Sequence, residues 1–147
     1  MARYDLAMIH QVLRIGSWVV DFLFATKRYD IDGILGCLYD TGAPEWAIEQ
    51  ALELMQGCSY NCGFTFSNEN RHRAIVLIGP ATSGEEFIDS FVHETHHLAV
   101  AIAASIGIDL ESETPAYIAG DSARALADVI CELGCPHCHN KTRQSED

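Results

Sequence analysis

Phe91-Val92-His93-Glu94-Thr95-His96-His97-Leu98 is the stretch on which the reading of this chain turns. It contains H-E-x-x-H. On an α-helix, residues four apart lie on one face, so the imidazoles of His93 and His97 can reach one metal ion. Glu94 lies about 100° round the helix from His93, where its carboxylate can hold a water molecule without being a ligand. Phe87, Ile88, Phe91, Val92, Leu98, Val100 and Ile102 give this helix a buried setting. Ser83, with Glu86 three residues on, forms a capping box, so the helix starts near Gly84. It runs to about Ser105, and Gly107 stops it.

Working outward, Ala74-Ile75-Val76-Leu77-Ile78 is the strongest strand signal, inside a segment from His72 to Gly79. Tyr60 to Ser67 reads as its hairpin partner across the polar turn Asn68-Glu69-Asn70-Arg71. Pro44 opens a helix with Trp46, Ala47, Ala51, Leu52, Leu54 and Met55 on its apolar face, and Gly57 ends it. Ile34 to Tyr39 is short and apolar, compatible with helix or strand. In the N-terminal segment, His10, Arg14, Ser17 and Asp21 recur at helical spacing. That pattern predicts an amphipathic helix from about Tyr4 to Ala25 and argues against a membrane span. After the loop at Asp109-Leu110, Ser112 to Pro115 starts a last long helix, with Pro115 in its first turn.

The 147 residues fit one domain, expected over residues 1–138 with a polar tail at 139–147. A net charge of −12, from 21 acidic and 9 basic residues, disfavours nucleic-acid backbones and anionic membranes as partners. No secretory pattern opens the chain, so a cytoplasmic location is expected, with the six cysteines reduced or ligating metal rather than paired.

A hydrolytic zinc site wants a third protein ligand, and Glu111 and Glu113 both open the last helix. Here, from Ala74 to Gly120, the chain resembles the zincin metallopeptidases of the gluzincin group: an apolar strand, the H-E-T-H-H helix, a glycine-ended turn, then Glu113-Thr114-Pro115-Ala116-Tyr117. The resemblance implies an α+β fold, a mostly helical minimal domain with a small antiparallel β-hairpin or sheet packed on the active-site helix. It implies His93, His97 and Glu113 as zinc ligands and Glu94 as general base. Glu113 is preferred to Glu111 because it lies inside the helix start, where packing fixes its direction. The gluzincin pattern places an Asp four residues after the ligand Glu. This chain has Tyr117 there, which leaves Asp121 or Asp89 to orient a ligand histidine. Tyr117 is itself a candidate oxyanion donor, against the simpler role of a core aromatic.

The implied activity is zinc-dependent amide hydrolysis of a peptide or unfolded protein segment, with Arg73 to Gly79 as the edge strand that would pair with it. His10, His72 and His96 are read as ordinary packed or surface histidines. Cys135-Pro136-His137-Cys138-His139 matches the haem-attachment pattern, but the chain shows no export signal for that chemistry. A second, structural zinc at Cys135 and Cys138, completed by His137 or His139 or by Cys58 and Cys62, is the functional alternative to free thiols. Two other functions compete: a zincin-fold protein that binds metal or a partner without turnover, and a deformylase-like amide hydrolase with Cys37 as third ligand. The sequence leaves the oligomeric state open.

Overall fold

In the computed structural model, which describes residues 6–134, strands β1 (Ile9–Ile15) and β2 (Trp18–Phe24) form a tight hairpin where the sequence pattern predicts one amphipathic helix. The reason lies at the turn. Ile15 pairs with Trp18, so Gly16 and Ser17 are a two-residue loop, and Gly16 takes φ +58, a conformation such hairpins require and a helix interior excludes. Val12, Val19, Val20 and three aromatic residues add β propensity. β2 is buried along most of its length because it is a central strand, so the run Trp18–Phe24 carries no clean alternation.

A short 3₁₀ turn at Arg28–Asp30 leads to α1 (Ile31–Thr41) and α2 (Glu45–Gly57). The ambiguous Ile34–Tyr39 segment is therefore helical, and Gly42 ends α1 in the left-handed conformation at φ +76. β3 (Gly63–Asn68) and β4 (Arg73–Ile78) form the expected second hairpin. α3 (Gly84–Ser105) matches its predicted limits, with the Ser83 hydroxyl accepting from the Glu86 amide. The predicted last helix is two: α4 (Thr114–Ala125) and α5 (Ala127–Gly134). Within α4 the buried Ser122 hydroxyl donates to the Ile118 carbonyl, a bond that bends helices, and buried Leu126 sits at the break.

The fold is α+β, as expected, and its sheet has four strands in the order β1-β2-β4-β3, mixed rather than wholly antiparallel. β2 and β4 are parallel, and the other two pairings are antiparallel. Helices cover both faces. Val20, Phe22, Phe24, Val76 and Ile78 pack toward α3, α4 and α5, through Phe87, Phe91, Leu98, Ile102 and Leu126. Leu23, Ile75 and Leu77 pack toward α1 and α2, through Ile34, Leu38, Ala51 and Met55. Each large apolar side chain so buried contributes about 1.5–3 kcal/mol. Two corrections bear on function. β4 lies between β2 and β3, so the strand before the motif helix is not an edge, and the edge beside that helix is β3. Cys58 and Cys62 are joined in a disulfide, so these two thiols are neither free nor available to a structural metal.

Candidate metal centre

α3 lies against the sheet through one apolar stripe, and that packing sets the direction of the motif side chains. Glu94 faces inward and is 6% exposed, whereas His93 and His97 face solvent. The two imidazoles meet edge to face, and their Nε2 atoms are 3.2 Å apart. Two nitrogens bound at zinc-like distances to one tetrahedral ion would be about 3.3 Å apart. The pair is thus already set at the spacing of two ligands of one ion, although the same contact is open to a single imidazole–imidazole hydrogen bond.

Glu94 is held from β3. The Thr65 hydroxyl donates to its Oε2 at 2.5 Å, with a second contact to the Glu94 carbonyl at 3.2 Å. A Cβ at Gly63 would lie 2.6 Å from Glu94 Cγ and 2.7 Å from Oε1, so the absent side chain at this position is the space the carboxylate occupies. An open groove runs along the β3 edge, lined by Trp46, Gln50, residues 63–67, Glu94, His97 and Ala101. Trp46 meets the Phe66 ring edge to face and remains 61% exposed.

The remaining predicted site residues are placed less compactly. Glu113 immediately precedes α4, which packs on α3; its side chain makes no capping hydrogen bond and is exposed. Among the described residues, no third His, Cys, Asp or Glu donor atom lies within 4.8 Å of both imidazole nitrogens. Glu111 is exposed in the preceding turn, and Tyr117 is 67% exposed on α4. Asp121 forms an exposed ion pair with Arg124, and Asp89 is exposed on α3 one turn before His93. Exposed His96 lies beside His97 at a ring-centre distance of 6.3 Å. Cys37 sits on α1, against the face of the sheet that α3 does not cover, and so is not a third ligand for these histidines. The candidate structural zinc residues Cys135, His137, Cys138 and His139 lie outside the described residues.

Sequence reasoning missed Gly63, Thr65 and Trp46. Gly63 carried a usable signal, because a glycine opening a strand often marks close approach by another group. No family model, curated protein or solved structure matches the chain. Among the described residues, no helix is long and apolar enough to cross a membrane.

Proposed function

We propose that the protein is a zinc-dependent metallopeptidase acting on extended peptide or unfolded polypeptide. The observation that carries this reading is the pairing of the His93 and His97 Nε2 atoms at 3.2 Å next to the buried Glu94, with Glu94 and His97 lining a groove along β3, an edge strand among the described residues. His93 and His97 would hold the ion, with Glu113 as the third ligand. A zinc ion, when bound, supplies Lewis acidity that brings water near its pKa range for reaction at neutral pH and polarises a carbonyl.

The chain's own residues do the rest. Glu94 takes the proton of the attacking water and returns it to the leaving nitrogen. The Thr65 hydroxyl holds Oε2, which fixes the carboxylate plane and leaves Oε1 to carry the proton. The outer edge of β3 supplies backbone donors and acceptors for an extended chain, giving affinity with little sequence preference. Trp46 and Phe66 offer an apolar wall to a substrate side chain. The cytoplasmic location expected from the sequence belongs to this reading, with the Cys58–Cys62 bond then open to reduction by the thiol pool.

Zinc content measured on wild type, His93→Ala, His97→Ala, Glu113→Ala and Glu111→Ala tests the ligand set. The expected result is loss of one zinc per chain in the first three variants and retention in Glu111→Ala. Retention of that zinc in the two histidine variants would overturn the assignment.

A further inference from the structure

We infer that the opposite side of the sheet carries a second transition-metal site, built from His10, Asp21 and Cys37. The three residues come from three elements, β1, β2 and α1, and their donor atoms lie within 4.8 Å of one another. They form a nitrogen, oxygen and sulfur set, the combination that suits zinc and similar borderline-soft ions and not calcium or magnesium.

Asp21 is the centre of this arrangement. It is the one acidic residue of the otherwise apolar strand β2, and it is 4% exposed. A carboxylate there must be paired. Its Oδ2 is held by Arg73 Nη2 at 3.2 Å, leaving Oδ1 on the His10 Nε2 at 2.8 Å. Arg73 thus anchors the carboxylate as outer-sphere partners of metal ligands do, and the second oxygen stays turned toward the imidazole and the thiol. His10 and Asp21 share a face because Asp21 pairs with Val12, two residues along β1 from His10. Cys37 reaches the same point from the inward face of α1, packed against Leu23, Ile34 and their neighbours.

The charge balance is explicit. The His10–Asp21 hydrogen bond spans the position, and burial, followed by the nearby Asp21 and Asp40 carboxylates, pushes the Cys37 thiol above its ordinary range. A divalent cation there would be held by the Asp21 carboxylate, by Cys37 as thiolate with its proton released to solvent, and by Nε2 of a neutral His10 carrying its proton on Nδ1, so the set supplies two negative charges. The His10 side chain is 42% exposed, so the fourth position faces solvent. The ion would tie the first hairpin to α1, on the face of the sheet away from α3.

Cobalt substitution provides the test, because a cobalt–thiolate charge-transfer band in the near ultraviolet requires a sulfur ligand. The His93→Ala/His97→Ala variant, used without reductant so that Cys58 and Cys62 stay bonded, removes the α3 site from the measurement. In that background the expected result is one bound cobalt with the thiolate band. Adding Cys37→Ser abolishes the band, and adding His10→Ala weakens binding at least about tenfold, the least that loss of a direct ligand should do. Exposed His10 keeps the test usable if the half-buried Cys37→Ser variant misfolds by circular dichroism. Absence of cobalt binding, a band unchanged by Cys37→Ser, or a band lost instead in Cys135→Ser/Cys138→Ser would overturn the site. None of these outcomes depends on peptidase activity, so failure here is separate from failure of the α3 site.

Discussion

Replacing Gly63 with alanine places a methyl carbon 2.6 Å from Glu94 Cγ, 2.7 Å from Oε1 and 2.9 Å from Cδ. Ordinary contact begins at 3.4 Å, so the Glu94 side chain must retreat by 0.8 Å (3.4 − 2.6) or the strand must shift. Glu94 is pinned on its other side by the Thr65 hydroxyl, so retreat also strains the 2.5 Å hydrogen bond. Overpacking of this kind costs about 1–3 kcal/mol. On backbone entropy alone, glycine to alanine in a strand would stabilise by roughly 0.5–1 kcal/mol. The two effects have opposite signs, which makes the experiment decisive. Urea denaturation of wild type, Gly63→Ala, Glu94→Ala and the double variant forms a thermodynamic cycle. The expected coupling is about 1–3 kcal/mol, with Gly63→Ala destabilising wild type and neutral or stabilising in the Glu94→Ala background. The same displacement should lower hydrolysis about 100-fold, the penalty typical of a misplacement near 1 Å, without loss of zinc. Additive stabilities, or a stabilised Gly63→Ala in wild type, would refute the claim that Glu94 occupies the space beside Gly63.

Other consequences of the fold can be measured separately. Gly16→Val forces a β-branched residue into φ +58 and should cost roughly 1–2 kcal/mol in urea unfolding; no loss would contradict the two-residue hairpin loop. Gly84→Ala brings a methyl carbon 2.4 Å from the Gly134 carbonyl oxygen, so the junction of α3 and α5 should open at about 1–3 kcal/mol, with faster amide exchange in α5. Phe24→Ala, in the aromatic cluster with Phe22, Phe87 and Phe91, should lower stability by about 3–5 kcal/mol, and a loss under about 1 kcal/mol would place β2 outside the core. Removing the Cys58–Cys62 bond by double replacement with alanine should cost about 2 kcal/mol, since its loop is short.

Local signals decided the elements that were legible in the sequence. Ser83 and Gly107 bound α3 because a cap and a left-handed turn act within a few residues, whereas α2 simply begins after Pro44 and has Gly57 as its last residue. The run at residues 74–78 announced β4, yet not its central position, because strand order depends on contacts distant in sequence. The first hairpin was misread because His10, Arg14, Ser17 and Asp21 match a helical period by coincidence. Their true relation is a cross-strand one: His10 and Asp21 meet over the inner face, and Ser17 instead hydrogen-bonds His72. At the α3 site, the helical spacing of His93 and His97 suffices to bring their nitrogens together. Thr65 and Gly63 could not be assigned from it, since their role arises from β3 packing on α3. Cys37 and His10 illustrate the same limit, each unremarkable alone: the register of β1 on β2 brings His10 to Asp21, and the packing of α1 on the sheet brings Cys37 to both.

Hydrolysis of an unfolded protein substrate by Glu94→Gln, compared with wild type at equal zinc content, tests whether Glu94 is the general base of a zinc peptidase. Glutamine keeps the shape and a hydrogen-bonding partner for Thr65 but cannot accept the proton. The expected result is zinc-dependent cleavage by wild type and a loss of about 10²–10⁴-fold in the variant, with the metal retained. Equal cleavage by the two proteins, or no cleavage of unfolded polypeptide by the zinc-loaded wild type, would contradict it and leave the α3 site as a metal-binding centre without turnover.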